Sequence, residues 1–283
     1  MALNLGGGSL TSNYSALYLG NAQSMLSQSL LRLSSGQRIN KPSDDPGGLA
    51  VSMKLKNAIT VTEATKRNVD NALSYTDTQD SALESVADIL DRMSTIKTSY
   101  GSGTATTSDK SSYASEFKEL QKQLDVFKSE TFNSLSLFSS STVSKQVTIS
   151  TRGDSGPTIS ISSLDISGAL NVSSTINLAN ATGSVTISGI SIGNLTTAIT
   201  QVASLRATSG ATSSRLQFSS DFLDTSKTNL EAANSRIMDV DIADEVTNYA
   251  KYNVQVYAAS AALAQSNLNM GIVLDLLNFG SSR

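Results

Sequence analysis

Apolar residues toward the C-terminal end of the chain recur in sevens. Tyr249, Val256, Leu263, Met270 and Leu277 share one register, and Tyr252, Ala259, Ser266 and Val273 fill the position three residues after each. Steps of three and four over four heptads predict a helix that packs on other helices. The same habit near the N-terminus, in Leu19, Ala22, Leu26, Leu30 and Leu33, predicts a second helix, and Gly6-Gly7-Gly8 ahead of it predicts a flexible leading end. A long helix is predicted from residue 49 to about 100, where Val69, Leu73, Thr76, Asp80, Leu83, Ala87 and Leu90 hold the alternation. Its length is roughly 75–80 Å, too long for a globule and right for a rod. Tyr113, Phe117, Leu120, Leu124, Phe127 and Thr131 mark a third helix. The helical period returns near Thr197, with Leu216, Leu223, Leu230 and Ile237 repeating every seven.

One stretch changes period. Between residues 139 and about 194, Val147 and Ile149, Ile159 and Ile161, Leu164 and Ile166, Ile176 and Leu178, Val185 and Ile187, and Ile190 and Ile192 alternate with mostly small polar residues. Period two predicts short strands, with Arg152-Gly-Asp-Ser-Gly156 as a hairpin turn. The fold class expected is therefore mainly α: long, coiled-coil-like antiparallel helices forming a rod, with a small β-hairpin region in mid-chain.

Punctuation agrees with the periods. Pro42, Pro46, Gly47 and Gly48 end the first helix and start the next, with Asp45 as N-cap and Pro46 at the first helical position, where a missing N–H costs nothing. Asp44 and Asp45 side by side raise the thought of a metal or acid–base site, but a capping role explains them better. Asp241 is placed to cap the last helix, with Asp244 and Glu245 in its first turn.

Charge changes the picture at the two ends. No ionic side chain precedes Arg32, and Asp275 is the only one between Tyr252 and Ser282. A surface helix normally carries Lys and Glu outward; these two carry neutral amides and hydroxyls and look built to be enclosed, by each other and by further copies. Gln255, Gln265, Asn267, Asn269 and Asp275 break every apolar window long enough to span a bilayer, so membrane insertion is not expected. With the first charge at Arg32, a positive n-region is missing and no signal peptide is expected.

Composition removes most chemistry. The 283 residues include no Cys and no His, and net charge is -3. No thiol or imidazole nucleophile, disulfide framework or ordinary zinc site can be built, and no basic surface draws nucleic acid. Neither catalytic residues nor a cofactor or metal is expected.

Several runs resemble those of bacterial flagellins. They are Leu31-Arg-Leu-Ser-Ser-Gly-Gln-Arg-Ile-Asn40, Asp44-Asp45-Pro46-Gly-Gly-Leu-Ala50, Ser235-Arg-Ile-Met-Asp-Val-Asp-Ile-Ala-Asp-Glu-Val246 and Ala262-Leu-Ala-Gln-Ser-Asn267, with Thr131-Phe-Asn133 and the spacing Arg206…Gly210-Ala211…Arg215-Leu216. Ser134 departs from the Gly that usually follows Phe-Asn, and Ser214 from the Asn that usually precedes Arg-Leu. The resemblance implies a terminal hairpin of residues 1–43 with 242–283 at the filament core. It implies a helical rod of 44–138 with 197–241, and a β-hairpin region of 139–196 with a small exposed extension. It implies a secreted, extracellular homopolymer that drives swimming. The expected partners are the flagellar type III export apparatus, a secretion chaperone, the filament cap and hook-associated proteins. A flagellin-like hook–filament junction protein is the alternative. The self-assembly seam would comprise Leu19, Leu26, Leu30, Leu33, Tyr249, Tyr252, Val256, Ala259, Leu263, Met270, Val273 and Leu277. A Toll-like receptor binds some flagellins through the long helix; here Arg92 and Ile96 match that run while Ser94 and Thr95 depart from it, so weak recognition is expected.

Overall fold

The computed structural model describes the backbone of residues 5–140, 143–150, 156–173, 176–179 and 185–281. Side chains near the two ends are described from Ser12 and as far as Ile272, Met270 excepted. The expected turn at 152–156 lies largely outside these residues. The chain divides into two compact units, one of Met1–Asn57 with Leu230–Arg283 and one of Ala58–Asn229.

In the first unit, α1 (Leu5–Ser35) and α6 (Ile242–Ser281) pair along their lengths, joined by the first turns of α2 (Pro46–Tyr100) and the last turns of α5 (Ile192–Met238). The helix α1 takes Gly6-Gly7-Gly8 into its first turns, where flexible chain was expected. Each of these glycines costs a helix about 1 kcal/mol relative to Ala, so the opening turns are the weakest of α1.

The second unit is built on the rest of α2 and α5. Glu63 pairs with Lys227 at 2.6 Å, Lys66 with Asp224 at 2.6 Å, and Asp80 with Arg206 at 3.0 Å. Numbers that climb on one helix and fall on the other make the pair antiparallel. Buried positions on α2 include Val69, Ala72, Thr76, Gln79, Leu83, Val86, Leu90 and Met93. The first heptad position is the one expected, but the second falls one residue earlier than Leu73, Asp80 and Ala87. Those three sit on the flank, where Asp80 meets Arg206. The reason is Gln79, which the core keeps because its amide donates to the carbonyls of Leu137 at 2.7 Å and Ser162 at 3.4 Å.

The helix α3 (Thr107–Phe127) starts with a capping box, Thr106 and Asp109 bonding each other's backbone N–H. It ends at Phe127, short of Thr131, which opens the hairpin β1 (Thr131–Phe132) and β2 (Leu135–Ser136). The turn residues Asn133 and Ser134 have φ of 48° and 63°. Both being left-handed makes this a turn that favours Asn-Gly. A left-handed residue with a side chain costs roughly 1–2 kcal/mol, so Ser134→Gly is expected to stabilise the second unit by about 1 kcal/mol. A denaturation midpoint unmoved or lowered by the change would contradict that.

Strands β3 (Ser144–Thr148) and β4 (Thr158–Ser162) pair antiparallel over five residues, and Ile159 and Ile161 enter the core of this unit. Among the described residues three of the expected strands are absent, those at Leu164 and Ile166, at Val185 and Ile187, and at Ile190 and Ile192. Leu164 makes a single bridge to Phe138, and Ile166 opens the short α4 (Ile166–Leu170), because Asp165 caps it through Gly168 N at 2.7 Å. After β5 (Asn171–Ser173) and β6 (Ile176–Asn177), a single 3₁₀ turn (Ile187–Gly189) buries Ile187. Then α5 starts at Ile192, earlier than Thr197, since Ser191 and Asn194 cap each other reciprocally.

Candidate assembly interface

Both ends of the chain are anchored by a short crossing of connectors in the first unit. Gly36 adopts φ +70° at the end of α1 and its N–H donates to Arg32 O at 2.9 Å, a left-handed stop that suits glycine. The next residues pair with the connector between α5 and α6. Gln37 bridges Asp239, Arg38 N donates to Met238 O at 2.6 Å, and Val240 N donates to Gly36 O at 3.1 Å. The Arg38 guanidinium adds a bond to Ile237 O at 2.8 Å.

The adjacent carboxylates are both taken up by backbone. Asp44 accepts from Lys41 N at 3.0 Å and Asn40 N at 3.1 Å, and these bonds, in that order, hold its carboxyl below the ordinary 3.8. A depressed folded value means that its contribution is complete above 3.8 and is lost as pH falls through the folded value. Asp45 caps α2 through Gly48 N at 2.8 Å. A Cβ at Gly48 would meet Asp45 Cγ and Ile39 Cδ1 at 2.9 Å, so glycine is what lets the capping loop close over buried Ile39.

The inner seam follows a strict three–four alternation on each helix. On α1 its covered positions are Ser12, Ser15, Leu19, Ala22, Leu26, Ser29 and Leu33, with Arg32 half-covered beside them; on α6 they are Glu245, Tyr249, Tyr252, Val256, Ala259, Leu263 and Ser266, with Asn248 and Asn253 half-covered beside them. Three contacts fix the register: Ser12 Oγ donates to Asn267 Oδ1 at 3.3 Å, Ser29 Oγ to Glu245 O at 3.3 Å, and Arg32 lies 3.9 Å from buried Glu245. In this register small residues face large ones, Ser15 beside Leu263 and Leu19 beside Ala259, which lets the helices approach closely. Of the expected seam, Leu19, Leu26, Leu33, Tyr249, Tyr252, Val256, Ala259 and Leu263 lie on it, half-buried. Leu30 does not: it is 54% exposed, and Ser29 takes its place. The side chains of Met270, Val273 and Leu277 lie outside the described residues.

What periodicity did not single out is the opposite face. Tyr14, Leu17, Tyr18 and Met25 on α1, and Val254, Tyr257, Leu268 and Ile272 on α6, are exposed large apolar side chains. The signal was available: apolar residues off the heptad, on stretches with almost no ionic groups, gain little from facing water. No helix among the described residues is long and apolar enough to cross a membrane.

The two receptor-patch residues fare differently. Arg92 is exposed and bound to Glu116 at 2.5 Å, whereas Ile96 is 2% exposed and belongs to the core of its unit. Only Arg92 is presented at the surface.

Comparison with known proteins places this geometry. Residues 10–142 match the model of the bacterial flagellin N-terminal helical region, and residues 192–277 that of the bacterial flagellin C-terminal helical region. A flagellin of Halalkalibacterium halodurans is 29% identical over 247 residues, covering 87% of this chain and 89% of that one. The flagellar filament 33 kDa core protein of Treponema phagedenis is 29% identical over 282 residues, covering 94% and 98%. Among solved structures, a flagellar hook-associated protein of Vibrio parahaemolyticus superposes with a TM-score of 0.59 at 15% identity, over 69% of this chain and 100% of that one. At that identity the likeness is one of fold alone.

Proposed function

The chain belongs to the flagellin family, and from that premise we infer that it is the structural subunit of a bacterial flagellar filament. One observation carries the physical side of this reading. The terminal hairpin covers its inner seam within one chain yet leaves a second set of tyrosines, leucines and valines exposed on both helices. Burying one such side chain is worth about 1.5–3 kcal/mol, which gives neighbouring copies a reason to enclose the hairpin. Its relatives are structural flagellins, and no reaction is assigned to it. The junction-protein alternative has only the fold-level likeness behind it.

The finer parts of the reading follow from family membership. The terminal hairpin, 1–43 with 242–283, would line the filament core. Residues 44–138 with 197–241 would form the next layer, and 139–196 its water-facing surface. Export through the flagellar type III apparatus, a chaperone on the C-terminal helix, and a cap and hook-associated proteins at the filament ends complete the proposal.

The test is direct. Purified full-length chain, salted out and imaged by electron microscopy, should give filaments. Chains lacking residues 1–33 or 249–283 should stay soluble and give none. Filaments from either truncation would refute the assignment of assembly to the terminal helices.

A further inference from the structure

The chain has no Cys, no His and no Trp, so the side chains most open to mild oxidation reduce to its six methionines. Their access to solvent differs sharply. Met93 is fully buried in the core of the second unit, and Met238 is half-buried at the end of α5. Met25 in α1 and Met53 in the first turns of α2 are exposed, at 48% and 66%. Oxidation of a thioether follows exposure, so among the described residues these two sulfurs are the ones that a peroxide reaches.

The two have different surroundings. Met25 lies seven residues after Tyr18, and Tyr14 one turn before that, so helix geometry sets all three on one flank of α1. Both tyrosines are exposed, and no ionic side chain precedes Arg32 in the chain. This flank belongs to the apolar surface that neighbouring copies gain by enclosing. Met53 instead shares its face of α2 with Lys56 and Asn57, three and four residues further on, and both are exposed. A polar atom added at Met53 stays in water; one added at Met25 goes into a covered surface.

We propose that Met25 is a modification site through which hydrogen peroxide controls assembly, while the same change at Met53 is silent. The step is a two-electron oxygen transfer. Met25 Sδ attacks one peroxide oxygen, the O–O bond breaks as the S–O bond forms, and after proton transfer water leaves. The sulfur is oxidised to a sulfoxide and the peroxide is reduced. A sulfoxide turns a flexible apolar side chain into a polar one, and a polar group without a partner in an apolar contact is costly. Dispersed chain is open to the reaction and polymerised chain is closed to it. The inference rests on the filament reading and adds a regulation of the same face.

The experiment treats dispersed full-length chain with hydrogen peroxide, removes the peroxide and then salts the protein out. Peptide masses should show an added oxygen at Met25 and Met53 and none at Met93. The concentration left unpolymerised, measured by sedimentation, should rise about tenfold. Met25→Leu, a swap close in volume, should polymerise within about twofold of the unaltered chain both before and after peroxide. Met53→Leu should stay as sensitive as the unaltered chain. A second arm needs no oxidant: Met25→Gln, polar and of similar length, should raise the unpolymerised concentration about tenfold by itself, with the monomer's circular dichroism unchanged. In finished filaments Met25 should oxidise at least about tenfold more slowly than in dispersed chain. A loss of assembly in oxidised Met25→Leu as large as in the unaltered chain, or Met25 equally reactive in filaments and in dispersed chain, would overturn the proposal while leaving the filament reading intact. Failure of the untreated chain to polymerise would instead overturn both.

Discussion

Replacing Tyr257 and Leu268 with Asp is expected to abolish filament formation while leaving the monomer's terminal hairpin folded. Both side chains stand on the outer face of α6, 71% and 63% exposed, and neither lies on the seam that joins α6 to α1. The folded single chain therefore loses little. In an assembly that covers this face, each substitution removes about 1.5–3 kcal/mol of apolar burial. Each also leaves an unpaired carboxylate, at a cost of several kcal/mol. A loss of 4 kcal/mol already weakens association about a thousandfold. Sedimentation and electron microscopy check the outcome, with circular dichroism of the monomer as the control for folding. Filaments at ordinary protein concentration from the double variant would mean that this face is not the one covered. Tyr257→Phe, which keeps the ring, should polymerise like the unaltered chain.

The largest expected effect on folding alone is at Phe117. It is 1% exposed, the largest fully buried side chain, and α3 offers only Gln121 and Leu124 as further buried anchors. Phe117→Ala should destabilise the second unit by about 3–5 kcal/mol through lost transfer energy and the cavity left behind. That is a large part of the 5–15 kcal/mol typical of a domain. Gln121 makes the complementary case. Its side chain is buried and Nε2 finds no hydrogen-bond acceptor among the described residues. A buried donor left unmet costs about 1–3 kcal/mol, so Gln121→Leu should stabilise by about 1 kcal/mol where Phe117→Ala destabilises. Denaturant midpoints would show it; a loss of stability in Gln121→Leu would mean that the amide has a role in the core.

The helices were legible from the chain because their period is long and their caps are local. Asp45, Asp241 and Gly36 do in the structure what their residue types and positions lead one to expect. Two of the departures share a cause, and a third is local. Gln79 is taken into the core because carbonyls from Leu137 and Ser162 meet its amide, and no periodicity in α2 announces partners so distant in sequence. Ser29 displaces Leu30 from the seam because Glu245 O, on the other terminal helix, accepts its hydroxyl. Leu164 and Ile166, and Ile190 and Ile192, alternate like strands, yet Asp165 and Ser191 cap helices there; over so few residues a period of two and a period of three or four are hard to tell apart. The exposed apolar faces of α1 and α6 went unnamed for a different reason. The heptad reading ranks residues by what one neighbour can cover, and these residues have no covering neighbour within the chain.

The crossing of connectors at Gln37 and Asp239 has a consequence for what the middle of the chain is free to become. Those bonds fasten together two points separated by about two hundred residues, and they involve only the stretches beside them. The entropy of closing so large a loop rises by only about 0.6 kcal/mol for each doubling of its length. Extra sequence spliced into the intervening segment would thus weigh little on the foot of the molecule.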